Sequence, residues 1–255
     1  MNKIAWFITT DLLKSKSIWI YTILLFVISW ALLGMETSEV KATLSLLNVV
    51  LLIVPLVAII LATIYAYNSS EFIELLLSQP ISRSKVWLSL YLGLITALGT
   101  SYLLGCALPI LLYASPTAGI SLIVAGLFLT LIFSALALWC AALTRDKAVG
   151  IGLAIFVWLF FAIVYDGLLM VLMFQLAEYP IEKPMATLAA LNPIGLSRMY
   201  VLMNLEISAM LGQVGAIFQE VFGKGSGILI SLFILILWTF IPLLNSINKF
   251  NRKDL

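Results

Sequence analysis

Within the long apolar runs of this chain one ionisable side chain stands out: Asp166, in Val164-Tyr165-Asp166-Gly167. A carboxylate at membrane depth is costly and commonly marks a proton or ion path. Asp166 has no Lys, Arg or His close to it in sequence, and counting from Ala148 it lies nearer one end of its run than the middle. Proton coupling therefore competes with a plainer role as a hydrogen-bonded group near the interface or in the bundle interior. Gating or ligand contact is the other possibility.

The remaining chemistry-bearing residues are sparse. Cys106 and Cys140 each sit deep in an apolar run without a nearby Cys or His, which fits packing residues better than a disulfide or metal pair. The chain has no His, and with it lacks the commonest proton shuttle and transition-metal ligand. Met199, Met203 and Met210 recur at i, i+4 and i+11. Thioethers suit Cu(I), so a transient copper contact competes with ordinary apolar filling, and no metal ligand set is expected. No phosphate-binding G-x-x-x-x-G-K-[ST] loop occurs. Gly223-Lys224-Gly225-Ser226 fails it because Phe218 replaces the first glycine and Gly225 stands where Ser or Thr is required. ATP hydrolysis, if used, must come from another chain.

Those residues are carried on membrane-crossing elements. The 255 residues are 63% hydrophobic and 10% charged, against about 25% charged in soluble domains. The expected fold is all-α: an integral membrane bundle, one transmembrane domain over 1–255. A crossing helix needs about 20 apolar residues. Six runs qualify, near Ile18–Leu33, Leu47–Tyr67, Val86–Tyr113, Gly119–Leu143, Ala148–Phe174 and Ile228–Ile247. Residues 2–16 carry Ile4, Phe7, Ile8 and Leu12 at helical spacing, with Trp6, Lys14 and Lys16 beside them, and read as a retained helix in the membrane interface. No cleavable leader pattern precedes it.

Six spans put both ends of the chain on one side. That side collects Lys3, Lys14, Lys16, Arg83, Lys85, Arg145, Lys147, Lys249, Arg252 and Lys253. The other holds Lys41, Lys183, Arg198 and Lys224, together with six glutamates. Ten basic residues against four make the first side cytoplasmic. The net charge of +2 is too small to imply a nucleic-acid partner.

The segment Asn68–Lys85, NSSEFIELLLSQPISRSK, lies on that basic side. Asn68 can cap a helix in which Glu71 and Glu74 complement the helix dipole. Phe72, Leu75 and Leu76 then form an apolar stripe, and Gln79 before Pro80 ends the helix. Ser82 or Ser84 can cap the next span, whose start Arg83 and Lys85 hold at the surface. An apolar stripe facing water would be wasteful, so a groove on a partner competes with a solvated loop. The segment 175–224, between the fifth and sixth runs, is too polar to span and too apolar for a free linker. Leu196–Leu211 within it is helix-like. It could lie on the membrane, tuck into the bundle or present a dock.

The spacing E-x-x-E-L-L-L-S-x-P-x-S-R from Glu71 to Arg83 resembles the first cytoplasmic loop of ABC-2 type permeases. The interfacial helix, six spans and long outer segment extend the likeness across nearly the whole chain. The resemblance implies a type V exporter-like bundle working as a homodimer in a bacterial inner membrane, in contact with lipid. It implies two copies of a separate cytoplasmic ATPase that hold the ATP and Mg, with no cofactor on this chain. It also implies a coupling helix on which Ser69, Glu71, Phe72, Glu74, Leu75, Leu76, Leu77, Pro80 and Arg83 meet that ATPase. Leu191-Asn192-Pro193, Arg198, Ile207-Ser208-Ala209-Met210-Leu211-Gly212 and Gly215-Ala216-Ile217-Phe218 resemble the NosY branch, permeases of the copper-processing system for nitrous oxide reductase maturation. That likeness favours a dock for a periplasmic copper-handling protein at Asn192, Pro193, Arg198, Met199, Met203 and Glu206. An ion-coupled secondary transporter, or a membrane scaffold without an ATPase, is the alternative.

Overall fold

The computed structural model describes residues 2–36, 38–176, 182–205 and 223–252. The described regular structure is helical. Helix α1 (Asn2–Lys14) leads through Ser15 into the first span, α2 (Lys16–Met35), where the Ser15 side chain accepts from the Ile18 amide. The second span is α3 (Glu39–Asn68), followed by the short α4 (Ser70–Leu77). The third comprises α5 (Arg83–Tyr102), a π-helical turn at Leu103–Ala107 and α6 (Leu108–Tyr113). The fourth is α7 (Pro116–Leu143). The fifth comprises α8 (Lys147–Leu159), a second π turn at Phe160–Val164 and α9 (Tyr165–Gln175). Helices α10 (Glu182–Ala190) and α11 (Pro193–Asn204) follow, and α12 (Lys224–Asn251) is the sixth span. All six expected spans are present, each longer than its purely apolar run, the second most of all because α3 begins at Glu39.

Helix α7 is the axis of the bundle. Two thirds of its most apolar window is buried, against 11% of the fifth span's. It packs against α3, α5, α8, α11 and α12. Its sequence explains that place, since Gly119, Gly126, Ser121, Ser134 and a run of alanines present little bulk and let neighbouring backbones approach. At Gly126 the fit is tight: a β-carbon there would collide with the ring of Tyr102, which is fully buried and donates its hydroxyl hydrogen to the Leu122 carbonyl at 2.9 Å. Gly126→Val is therefore expected to lower stability by about 1–3 kcal/mol through overpacking, read as a lower thermal unfolding midpoint of the detergent-solubilised chain. An unchanged midpoint would refute this packing.

Helix α1 is docked on the third span. Ile8 and Leu12 are buried, Gly93 of α5 makes room for Ile8, and Thr9 and Thr96 share a hydroxyl hydrogen bond at 2.6 Å. The expected apolar stripe of α1 is thus divided. Ile8 and Leu12 face protein, whereas the 70% exposed Trp6 faces outward.

One end of the bundle collects α1, α4, the turn between α7 and α8, and the last turn of α12. Tyr65 donates to Asp11, Lys147 to Asn68 at 2.7 Å, and Ser84 and Asn251 bond to each other. Trp87 of α5 donates to Ser246 at 2.7 Å and stacks on Phe250 at 4.1 Å between centroids. Asp146 caps α8 through the Ala148 and Val149 amides. Nine of the chain's basic residues lie at this, the basic end, among the described residues.

Candidate functional site at two ends of the bundle

The helix expected on the basic side is α4, and it stops as the Gln79-Pro80 signal requires. Its start differs. Asn68 is the last residue of α3 and accepts from Lys147, so its backbone is helical and cannot cap; Ser69 holds the cap position, without a side-chain cap bond. Ser69 still links the two helices through its backbone. Its N–H donates to the Tyr65 carbonyl at 2.9 Å, and its carbonyl accepts from Ile73 at 2.8 Å. Helix α4 is therefore hydrogen-bonded directly into the end of the second span.

The orientation of α4 also corrects the expected stripe. The side chain that seats it is Ile73, 4% exposed, with Leu76 and Leu77 half-buried beside it. Phe72 packs its ring against Phe7 of α1, with centroids 5.3 Å apart and the planes tilted by 32°. The outward face holds Glu71, Glu74, Leu75 and Ser78, at i, i+3, i+4 and i+7, and Leu75 is 68% exposed. A leucine ringed by carboxylates faces away from the bundle. Ser78 closes the helix by donating to the Leu75 carbonyl at 2.8 Å. Beyond exposed Pro80, Arg83 opens α5 at the surface.

At the other end of the fifth span a polar cluster has formed around Asp166. The sequence offered it no neighbour; the fold supplies two. Asn192 donates from Nδ2 to Asp166 at 2.8 Å, and Arg198 approaches the other carboxylate oxygen at 3.7 Å. Asn192, 1% exposed, also caps α11 by accepting from Ile194 at 3.0 Å. Its amide donates a second bond, at 3.0 Å, to the carbonyl of Phe161. Phe161 lies in the π turn, where the widened helix departs from regular i to i−4 bonding. Tyr165 adds a bond from its hydroxyl to the Leu188 carbonyl at 2.6 Å. These contacts fasten α10 and α11 to a span that is otherwise little buried.

Helix α11 tucks into the bundle against α7 and α12. Asn192, Pro193, Met199 and Met203, expected at a partner's surface, are accordingly buried. Arg198 is the half-buried member of the set among the described residues, with 43% of its side chain accessible. The physical reason is composition: Pro193 to Met203 is apolar on nearly every face, and every residue of it except Arg198 is buried. Glu206 and Met210 lie outside the described residues. Met199 and Met203 point inward and pack in the hydrophobic core. Cys106 and Cys140 are separate buried thiols, and no group of metal-ligating side chains occurs among the described residues.

A short amphipathic helix between the second and third of six spans, hydrogen-bonded into the bundle, is set beside a match to known proteins that covers the chain. The family model described as ABC-2 family transporter protein matches residues 3–255. The chain belongs to the ABC-2 transporter family. A curated relative, the probable ABC transporter permease protein NosY of Pseudomonas aeruginosa, is 27% identical over 190 residues, covering 70% of this chain and 69% of that protein. This ABC-2 chain is thus a multi-pass membrane protein of the permease type, with α4 in the position of the family resemblance and the Asp166 cluster at the far end of the fifth span.

Proposed function

We propose that this ABC-2 protein is the non-catalytic permease subunit of an ABC transporter, receiving through α4 the motion of a separate ATPase that holds ATP and Mg. The observation that carries this reading is the outward face of α4. Glu71, Glu74 and Leu75 point away from the bundle on a helix whose junction is bonded into the second span. A leucine framed by two carboxylates suits a groove with an apolar floor and basic rim. The gathering of basic residues at this end supports a cytoplasmic orientation in a bacterial inner membrane. Two permease chains and two ATPases make the working assembly.

Movement of α4 tilts the spans and reaches the outer end, where the Asp166–Asn192–Arg198 cluster ties α11 to the fifth span. The output is export of a solute or mechanical reshaping of a periplasmic partner. The NosY likeness favours the second, in copper-site maturation of nitrous oxide reductase, with the partly accessible Arg198 as the contact toward a copper-handling protein.

Affinity capture of the full permease chain from its native membranes, with co-captured ATPases identified by mass spectrometry, tests the assignment. Capture of the ATPase in equal amount, with ATP turnover altered by the permease, is the expected result. A permease that captures no ATPase and supports solute movement driven by an ion gradient would replace this reading with secondary transport.

A further inference from the structure

A cavity of about 450 Å³ opens at the basic end, between the α1–α2 elbow and the last turns of α3. Its size falls in the range of small-molecule sites, about 300–1,000 Å³. Its lining is divided by chemistry. Asp11, Lys14, Ser17 and Asn68 supply polar groups, while Leu12, Ile18, Leu61 and Ile64 supply apolar ones. One helix that crosses the membrane begins here at Lys16 and another ends here at Asn68. The cavity therefore lies at the depth where hydrocarbon gives way to headgroups.

The charges within it are arranged unequally. Asp11 and Lys14 are one helical turn apart on α1, a spacing at which they could pair. They do not. The Asp11 carboxylate accepts from the Tyr65 hydroxyl of α3 at 3.0 Å, and Lys14 forms no ion pair among the described residues. An exposed ammonium is thus left beside an amphipathic cavity at the membrane surface. Asn68 is already the acceptor for Lys147, so it offers Lys14 no strong alternative.

We infer that this cavity seats one phospholipid of the surrounding leaflet, with its phosphodiester on Lys14 and Ser17 and its glycerol and first methylenes against Leu12, Ile18 and Leu61. The phosphate supplies the charge-assisted acceptor that Lys14 lacks, and the apolar lining covers the upper acyl chain without exposing hydrocarbon to water. Ser69, which joins α3 to α4, also borders the cavity. An occupied seat therefore props the junction through which α4 moves, a consequence that rests on the coupling role proposed for α4; the lipid seat itself does not.

The binding test uses the full permease chain alone. Phospholipid retained through detergent purification is counted by native mass spectrometry, and dioleoyl phosphatidylglycerol is titrated into delipidated protein while thermal unfolding is followed. Wild type is expected to retain one phospholipid per chain and to be stabilised by the added lipid. Lys14→Glu should weaken binding roughly tenfold or more, on the scale of one charge-assisted contact. Ser17→Trp, which fills the cavity without changing charge, should abolish retention. Both positions are exposed, so both variants should remain folded. Lys249→Glu, at the same end but away from the cavity, serves as control and should bind as wild type does.

Equal retention in Lys14→Glu and wild type would overturn the inference. So would equal loss in Lys249→Glu, which would mean attraction by the general charge of that end. Stabilisation by inorganic phosphate or glycerophosphate to the same degree as by lipid would replace the lipid seat with a soluble-phosphate site. None of these outcomes depends on an ATPase.

Discussion

Leu75→Asp is expected to release the ATPase subunit while leaving the permease folded. Leu75 is 68% exposed, so in the isolated chain its replacement disturbs little. In the assembly it would be covered, and burying a leucine is worth about 1.5–3 kcal/mol. Aspartate forfeits that term and sets an unpaired carboxylate beside Glu71 and Glu74. Association should fall by at least about tenfold to a hundredfold. Ile73→Asp is the contrasting variant. Ile73 is 4% exposed and seats α4 on its own bundle, so a charge there should unseat the helix and lower the thermal unfolding midpoint before any partner is added. Affinity capture of the ATPase alongside thermal unfolding of the permease separates the two. Leu75→Asp that still captures the ATPase at wild-type level would reject the outward face of α4 as the docking surface.

Asn192→Ala is expected to have the largest effect near the far end of the fifth span. That one buried side chain caps α11, satisfies the Phe161 carbonyl and donates to Asp166. Loss of a cap costs about 0.5–2 kcal/mol. Leaving a part-buried acceptor without its donor adds up to about 1–3 kcal/mol. A combined loss of about 2–4 kcal/mol should appear as a lowered unfolding midpoint. Asn192→Asp distinguishes the causes. Aspartate caps a helix about as well as asparagine does, but it brings a carboxylate against Asp166 and no amide hydrogen for Phe161. If Asn192 served only as a cap, this variant would behave as wild type. If it links α11 to the π turn, Asn192→Asp should be at least as unstable as the alanine variant, and Arg198→Gln should destabilise less than either. Near-wild-type stability of Asn192→Asp would discard the linking role.

The residues differ in how much of this could be read along the chain. Pro80 announced the end of α4 because an X-Pro junction is a local steric fact. Ile73 was missed because an isolated two-turn helix has apolar residues on more than one side, and only the bundle selects which of them faces inward. Asn68 looked like a cap until α3 proved long enough to include it. Asp166 looked solitary because Asn192 and Arg198 are brought to it by folding. The two π turns left no sequence signal: Leu103–Ala107 and Phe160–Val164 read as ordinary apolar helix.

The order and number of the spans, the clustering of positive charge on one side and the lack of a phosphate-binding loop motif followed from the chain alone. Each depends on local transfer energy or on a contiguous motif, both one-dimensional properties. Which helix lies at the centre, which face of α4 is free, and how α11 is fastened to the fifth span were decided by tertiary structure. In a membrane the lipid-facing and protein-facing sides of a helix are equally apolar, so hydrophobic pattern does not tell them apart. Close packing of small residues and the pairing of a few distant polar groups do.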